Sequence, residues 1–191
     1  MSATPRLRAY PRDVTLRDGG SITIRPLERR DESALLEFFV QVPEDDLFFL
    51  KDDVTSTDII RDWTQNLDHN RAVSLVAIDD GRILGEGVVV KRRGGARGHV
   101  GEIRLTVGPS WRNRGVGTAM IRALCEVASD ADLDAVLFEI VEDGEGAALE
   151  AAAAMGFIPI GRLEGEARDR NAHLHDRVTL AMPLGKYWAQ F

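Results

Sequence analysis

The segment LTVGPSWRNRGVGTAMIRALCEVA, residues 105–128, constrains this chain more than any other stretch. Aliphatic and β-branched residues run into Val107, and Gly108-Pro109 stops the strand. Met120, Ile121, Leu124 and Val127 then recur at helical spacing, predicting a helix from about Val116 to Ser129. Between strand and helix lies Arg112-Asn113-Arg114-Gly115-Val116-Gly117. The first N–H groups of a helix have no internal partner and carry partial positive charge. Glycine lets the backbone approach a bulky anion closely, and arginine adds charge suited to phosphate. Together these features describe a pyrophosphate-binding turn. The plainer alternative is a glycine-rich helix start that holds no ligand.

Two familiar phosphate loops do not fit. A Walker sequence requires Lys-Ser/Thr after its last glycine, and Thr118 follows Gly117 directly. The dinucleotide fingerprint requires a third glycine where this chain has Met120.

Composition narrows the field further. The chain has 191 residues, of which 44% are apolar, so it can bury a core and suits one domain. Lys and Arg total 24 against 31 Asp and Glu, a net charge of −7, which argues against a protein built to hold nucleic-acid backbones. A single cysteine, Cys125, excludes an internal disulfide framework and a multi-cysteine zinc site. No apolar run approaches the roughly 18–20 residues that span a bilayer. The opening MSATPRLRAYPRDVTLRDGG has no apolar segment of the kind a secretory signal needs. The expectation is a cytoplasmic protein with neither a membrane nor a nucleic-acid partner.

Along the chain, residues 1–19 read as an arm with a short strand near Val14-Thr15-Leu16, and residues 20–191 as one domain. Ser21–Arg25 alternates as a strand and stops at Pro26. Asp31 has the position of an N-cap for a helix bearing Leu35, Leu36, Phe38 and Phe39. A second helix, capped between Thr55 and Thr57, runs through Ile59, Ile60, Trp63 and Leu67. AVSLVAI and RILGEGVVVKR flank Asp79-Asp80-Gly81 as a hairpin, and HVGEIRLTV is the next strand. AVLFEIV, residues 135–141, reads as a buried strand. EGAALEAAAAM is an alanine-rich helix stopped by Gly156. FIPIGRL and RVTLAMPL are strands, and EGEARDRNAHLHD between them reads as a polar loop or hairpin tip. Hairpins mixed with helices predict an α/β fold with a mixed, twisted sheet of about seven strands and flanking helices.

The pattern Arg-x-x-Gly-x-Gly after a strand ending Val-x-Pro resembles the GNAT superfamily of acyl-CoA-dependent N-acetyltransferases. The resemblance covers about residues 21–184. SITIRPLERRDESALLEFF is similar to the family's first strand and helix, VSLVAIDDGRILGEGVV to its second and third strands, and AAAAMGF to the helix end before its Gly-Phe pair. The opening VTLRDGGSITIRPLERRDESALLEFF resembles bacterial protein-lysine acetyltransferase domains, and GRLEGEARDRNAHLHDRVTLAMPL resembles amine and ribosomal-protein acetyltransferases.

The resemblance implies transfer of an acetyl group from acetyl-CoA directly to a primary amine, on a protein or a small molecule. A non-catalytic acyl-CoA-binding regulatory module is the alternative. It implies that Leu105, Thr106 and Val107 lie along the pantetheine arm, with the Val107 backbone bonded to it. It also implies that the N–H groups of Asn113, Arg114, Gly115, Val116, Gly117 and Thr118 surround the pyrophosphate, with Arg112 at the motif's first basic position and the Arg114 side chain reaching a phosphate. For Arg114, solvated surface is the competing expectation. The two central strands, near Val107 and at 135–141, are expected to splay where acyl-CoA enters. No metal is implied, and a homodimer is compatible with the fold.

An amine must lose a proton before it attacks, and a carboxylate serves as base. Glu102 is the first candidate, sharing one strand face with Arg104 and Thr106, and a plain surface pair with Arg104 is the alternative. Glu86, on the neighbouring strand, is the second. Many relatives carry a Tyr four residues before the Gly-Phe pair, to protonate the leaving thiolate, and an Asn seven residues earlier. Here these positions are Ala152 and Glu145. His173 and His175, with Asp169 and Asp176, read as a polar tip rather than a metal site. Cys125 reads as a small core residue. In relatives the segment holding Glu44, Asp45, Asp46, Asp52, Asp53 and Asp58 borders the acceptor cleft, where it would draw a cationic amine, and a solvated charged surface is the alternative.

Overall fold

The computed structural model describes residues 7–91 and 94–185. Eight strands form one sheet among them. They are β1 (Arg12–Thr15), β2 (Ser21–Pro26), β3 (Ala72–Asp79), β4 (Arg82–Lys91), β5 (Val100–Val107), β6 (Ala135–Val141), β7 (Ile158–Arg168) and β8 (Leu174–Pro183). The spatial order is β1-β2-β3-β4-β5-β6-β8-β7. Every neighbouring pair is antiparallel except β5 with β6. The sheet is thus mixed, with β1 as the strand beyond the expected seven. The helices are α1 (Glu32–Val40), α2 (Glu44–Leu47), α3 (Thr57–Gln65), α4 (Val116–Asp130) and α5 (Gly146–Ala154). Among the described residues no helix is long and apolar enough to cross a membrane.

Two apolar layers flank the sheet. On one face α4 buries Met120, Ile121, Leu124 and Val127 against Val73, Leu75 and Ile103. On the other, α1 and α3 bury Leu35, Phe38, Phe39 and Ile60 against Val76 and Ile83. Leu75 and Val76 are neighbours yet both wholly buried, because β3 is covered on both faces. Gly87 lets α4 seat closely: a Cβ there would lie 2.9 Å from Leu124 Cδ1.

Two local expectations change. Asp31 makes no side-chain cap for α1. Its carboxylate instead accepts two bonds from Arg25, at 2.6 and 2.8 Å, and the Glu28 N–H at 2.8 Å. A half-buried guanidinium nearby is a stronger partner than a helix N–H. Of the two expectations for EGEARDRNAHLHD, loop or hairpin tip, the hairpin holds, but most of the stretch is strand, since β7 runs to Arg168 and β8 starts at Leu174. This extension stands largely clear of the core, so its residues are polar on both faces and show no period-2 signal. Cross-strand pairs hold it, Arg177 to Glu166 and Arg162 to Asp176.

Candidate active site

The glycine turn starts where β5 ends. The Gly108 N–H donates to the Leu84 carbonyl at 2.8 Å, tying the strand end to β4. A short 3-10 turn, Pro109–Trp111, redirects the chain. Asn113 and Gly115 then take φ of +60° and +101°, and Gly115 becomes the N-cap of α4. Such a φ strains any residue with a Cβ, which explains a glycine at 115. The first N–H groups of α4, from Val116 onward, emerge with their dipole positive toward the opening.

The cleft beside this turn follows from the β5–β6 pairing. The register joins Val100–Ile103 to Ala135–Phe138 and stops there. Beyond it the strands diverge toward Val107 and Val141, as the splay expectation holds. A cleft of about 420 Å³ opens at that place. The turn contributes Arg112, Asn113, Gly115, Gly117 and Thr118 to its wall, and the strand contributes Leu105, Thr106 and Val107. The rest of the wall includes Ala147, Ala148, Glu150 and Ala151 of α5, and Asp46, Phe49 and Leu50 of the segment around α2. Nothing in the linear sequence brings Arg17 here, yet it also lines the cleft and lies against Gly115.

One expected side-chain contact lies elsewhere. Arg114 turns away, pairing with Asp18 at 2.5 Å and stacking on Trp111 at 4.2 Å from the ring centre. The Val116 side chain is wholly buried beneath the turn, which leaves its N–H as the group expected to meet a pyrophosphate. Arg112 stays at the cleft but folds back. Its Nε donates to the Val107 carbonyl at 3.1 Å, and its Nη2 meets Asp46 at 2.7 Å.

The carboxylates occupy the sheet face opposite α4. Glu86 and Thr106 are register partners on β4 and β5, so Glu86 stands directly behind the cleft wall. Burial pushes the Glu86 carboxyl up to about 8, against the pull of the Ser74 hydroxyl and the Arg104 guanidinium. Glu102 is set differently. Burial works against its charge, yet bonds from Lys51 Nζ at 2.7 Å and Arg104 Nε at 2.9 Å hold it below the usual carboxylate range. Both the base expectation and the surface-pair expectation named Glu102, and its geometry is that of an ion-pair member, joined by Lys51 as well as Arg104. A base near neutrality serves proton removal better than a locked carboxylate.

Other candidates have plainer roles. Ala152 is wholly buried in the core and offers no proton. Glu145 lines the cleft and accepts the Val141 N–H at 2.8 Å, while burial raises its pKa. Burial pushes the Cys125 thiol up to about 12, so it is no thiolate near neutral pH. At the β7–β8 tip Asp169 lies 3.2 Å from His173 and 3.3 Å from His175. Among the described residues no group of three His, Cys, Asp or Glu side chains is arranged to hold a metal. The acidic segment is largely spoken for: Glu44 pairs with Arg170, Asp46 with Arg112, and Asp52 with Arg104.

Comparison with known proteins accords with this geometry. No curated protein sequence matches significantly. The GNAT domain of Streptomyces lividans PAT superposes with a TM-score of 0.75 at 21% identity, covering 91% of this chain and 96% of that one. The ribosomal-protein-S5-alanine acetyltransferase of Vibrio fischeri gives 0.74 at 14% identity, over 87% and 94%. The yncA protein of Salmonella typhimurium, solved with its cofactor acetyl-CoA, gives 0.73 at 16% identity, over 86% and 95%. At these identities the likeness establishes the fold. The profile of the acetyltransferase (GNAT) family matches residues 34–157, more than half of the chain, and with it the chain belongs to the GNAT acetyltransferase family.

Proposed function

We propose that the protein transfers an acetyl group from acetyl-CoA directly to a primary amine, with Glu86 as the general base. One observation carries this reading. The β5–β6 divergence opens a cleft with a helix-start anion site at one end and a carboxyl poised near neutrality behind its wall.

The residues present fit acyl-CoA. The α4 N–H groups, Arg112 and Arg17 suit a pyrophosphate, and Gly115 keeps a Cβ out of its approach. Ala147, Ala148 and Ala151 give a smooth apolar wall for a thin pantetheine arm. Acetyl-CoA, when bound, supplies the acyl group as an activated thioester. Arg112 must then exchange Asp46 for phosphate. Glu86 takes the proton that the acceptor ammonium must lose, and its raised pKa suits that task. Ala152 gives no proton to the departing thiol, whose ordinary pKa of about 8.5 lets it leave largely unaided. A thiol pKa near 12 at Cys125 supports direct transfer over a covalent acyl-cysteine.

The buried Ala152 supports a second reading, an acyl-CoA-binding regulatory module without turnover. Free CoA release across a panel of amino acids, polyamines, aminoglycosides and peptide lysines separates the two. Release with a primary amine supports transfer. A melting-point rise with acetyl-CoA but no release with any amine supports the module.

A further inference from the structure

The cleft does not end at the glycine turn. A second hollow, of about 440 Å³, lies beyond it between β1 and α4. Arg17, Gly115 and Thr118 line both, so the two adjoin at the start of α4. β1 brings Arg12 to this hollow, and α4 brings Arg122, one turn after Thr118 on the same helix face. Two contacts hold this edge of the sheet over the helix. The Tyr10 hydroxyl donates to the Ala123 carbonyl at 3.3 Å, and Arg12 Nη1 meets Glu126 Oε2 at 2.8 Å.

Charge sets the hollow apart. The chain carries a net −7, yet three arginines line this hollow against one carboxylate, Glu126. Arginines around the first cleft are matched: Arg104 with Asp52, Arg112 with Asp46, Arg114 with Asp18. Among the described residues Arg17 and Arg122 have no such carboxylate. Arg12 gives Nη1 to Glu126, while its Nε is buried and has no hydrogen-bond partner. A buried donor left unpaired is costly, and a phosphate oxygen suits the guanidinium fork. Arg12 and Arg17 also precede residues 34–157, so the family profile does not include them.

We propose that this hollow seats the ribose phosphate of coenzyme A, held by Arg12 and Arg122 with Arg17 at the junction. The inference deepens the acyl-CoA reading above and rests on it for the pyrophosphate at the turn. Coenzyme A carries its third phosphate on the ribose, next to the pyrophosphate. The pantetheine arm leaves the pyrophosphate into the cleft, so the ribose leaves it the other way, toward β1. There the nucleotide meets positive charge that the protein has not neutralised. Glu126 acts on Arg12 as Asp46 acts on Arg112, holding the arginine until a phosphate replaces it.

The test compares coenzyme A with dephospho-coenzyme A, which lacks only the ribose phosphate, by calorimetry on the full chain at constant ionic strength. The parent should bind coenzyme A roughly ten-fold more tightly, the worth of about one hydrogen bond to a charged group. Arg122→Gln should weaken coenzyme A about five-fold and leave dephospho-coenzyme A unchanged. Glu126→Gln should tighten coenzyme A alone by about two- to five-fold, a gain that a damaged fold cannot produce. Arg112→Ala, at the pyrophosphate, should weaken both alike. Arg97→Gln removes the same charge at the other end of β5 from the turn and should move neither. Equal affinity of the parent for the two nucleotides overturns the proposal. So does a loss in Arg122→Gln that falls on both alike or that Arg97→Gln reproduces. Inorganic phosphate bound by the parent and lost in Arg122→Gln, with no preference for coenzyme A, would overturn it in favour of a free anion. A parent that binds neither nucleotide would defeat the acyl-CoA reading itself, whereas equal binding of both leaves that reading standing.

Discussion

On the α4 side of the β5–β6 divergence the cleft brings together glycines, alanines and the α4 helix start with Arg17, Arg112 and Asp46. On the opposite side the paired ends of β5 and β6 carry ion pairs to the segment after α2: Lys51 to Glu102 and Glu139, and Arg104 to Asp52. The first surface adds to a few charged side chains, Arg17, Arg112 and Asp46 among them, the backbone dipoles of the helix start, which are fixed by the fold and cannot pair with one another. The second is polar through side chains, which neutralise each other. The difference teaches where binding strength should come from. An anion in the cleft meets preorganised donors and one arginine to be freed, whereas the opposite face offers groups already paired.

The comparison is best broken by substitutions on each side, and Glu86→Gln should act most strongly. It keeps the shape of the buried group and removes its capacity to take a proton. Turnover should fall about 10²–10⁴-fold, the usual contribution of a positioned base. In the parent, the acceptor kcat/KM should climb with pH and level off above about 8, and that step should vanish in Glu86→Gln. Undiminished turnover would move proton removal to a water chain. A stability effect accompanies it. The native Glu86 carboxyl keeps its proton up to about 8, while the unfolded carboxyl loses it near 4.5. Between these values the folded state binds more protons, so stability to denaturant should fall as pH rises from 4.5 to 8. In Glu86→Gln this decline should flatten.

Next in size is the anion turn. Arg112→Ala with Gly115→Asp removes the guanidinium, places a Cβ at a φ of +101° and sets a carboxylate against the helix start. Acetyl-CoA affinity by calorimetry should fall by on the order of 100-fold or more, since about 1.4 kcal/mol is tenfold and several such interactions go together. Unchanged affinity would contradict the placement of the turn. The smallest effect tests the coupling between the sides. Asp46→Asn frees Arg112 from its 2.7 Å partner without touching the turn. Acetyl-CoA should bind about two- to five-fold more tightly, in keeping with the modest worth of a half-exposed ion pair. A weaker complex would show that Asp46 positions Arg112 rather than competing for it.

These regions also differ in how far the residues announce them. The turn was readable because its signals are local. A strand stop at Gly108-Pro109, a glycine that must take positive φ and a 3.6-residue apolar period all depend on near neighbours. The splay of β5 from β6 followed from the family resemblance. The opposite face was not readable, because its content is pairing across long stretches of chain. With 24 basic and 31 acidic residues, nothing local selects Lys51 for Glu139 or Asp46 for Arg112. The same blindness hid Arg17, which reaches the turn only because β1 and β2 pair at the edge of the sheet. It also left Arg114 between a phosphate contact and the surface, a choice that Asp18 and Trp111 decide by holding it aside. Burial of Glu86 depended on α1 and α3 covering that face, which no strand pattern encodes.

The most direct test of acetyl transfer through the β5–β6 cleft is free CoA release, followed with the amine panel in the parent and Glu86→Gln side by side. The account predicts release with at least one primary alkylamine and its loss in the variant. Acetyl-CoA binding with no release for any amine, or equal release from both proteins, would contradict it.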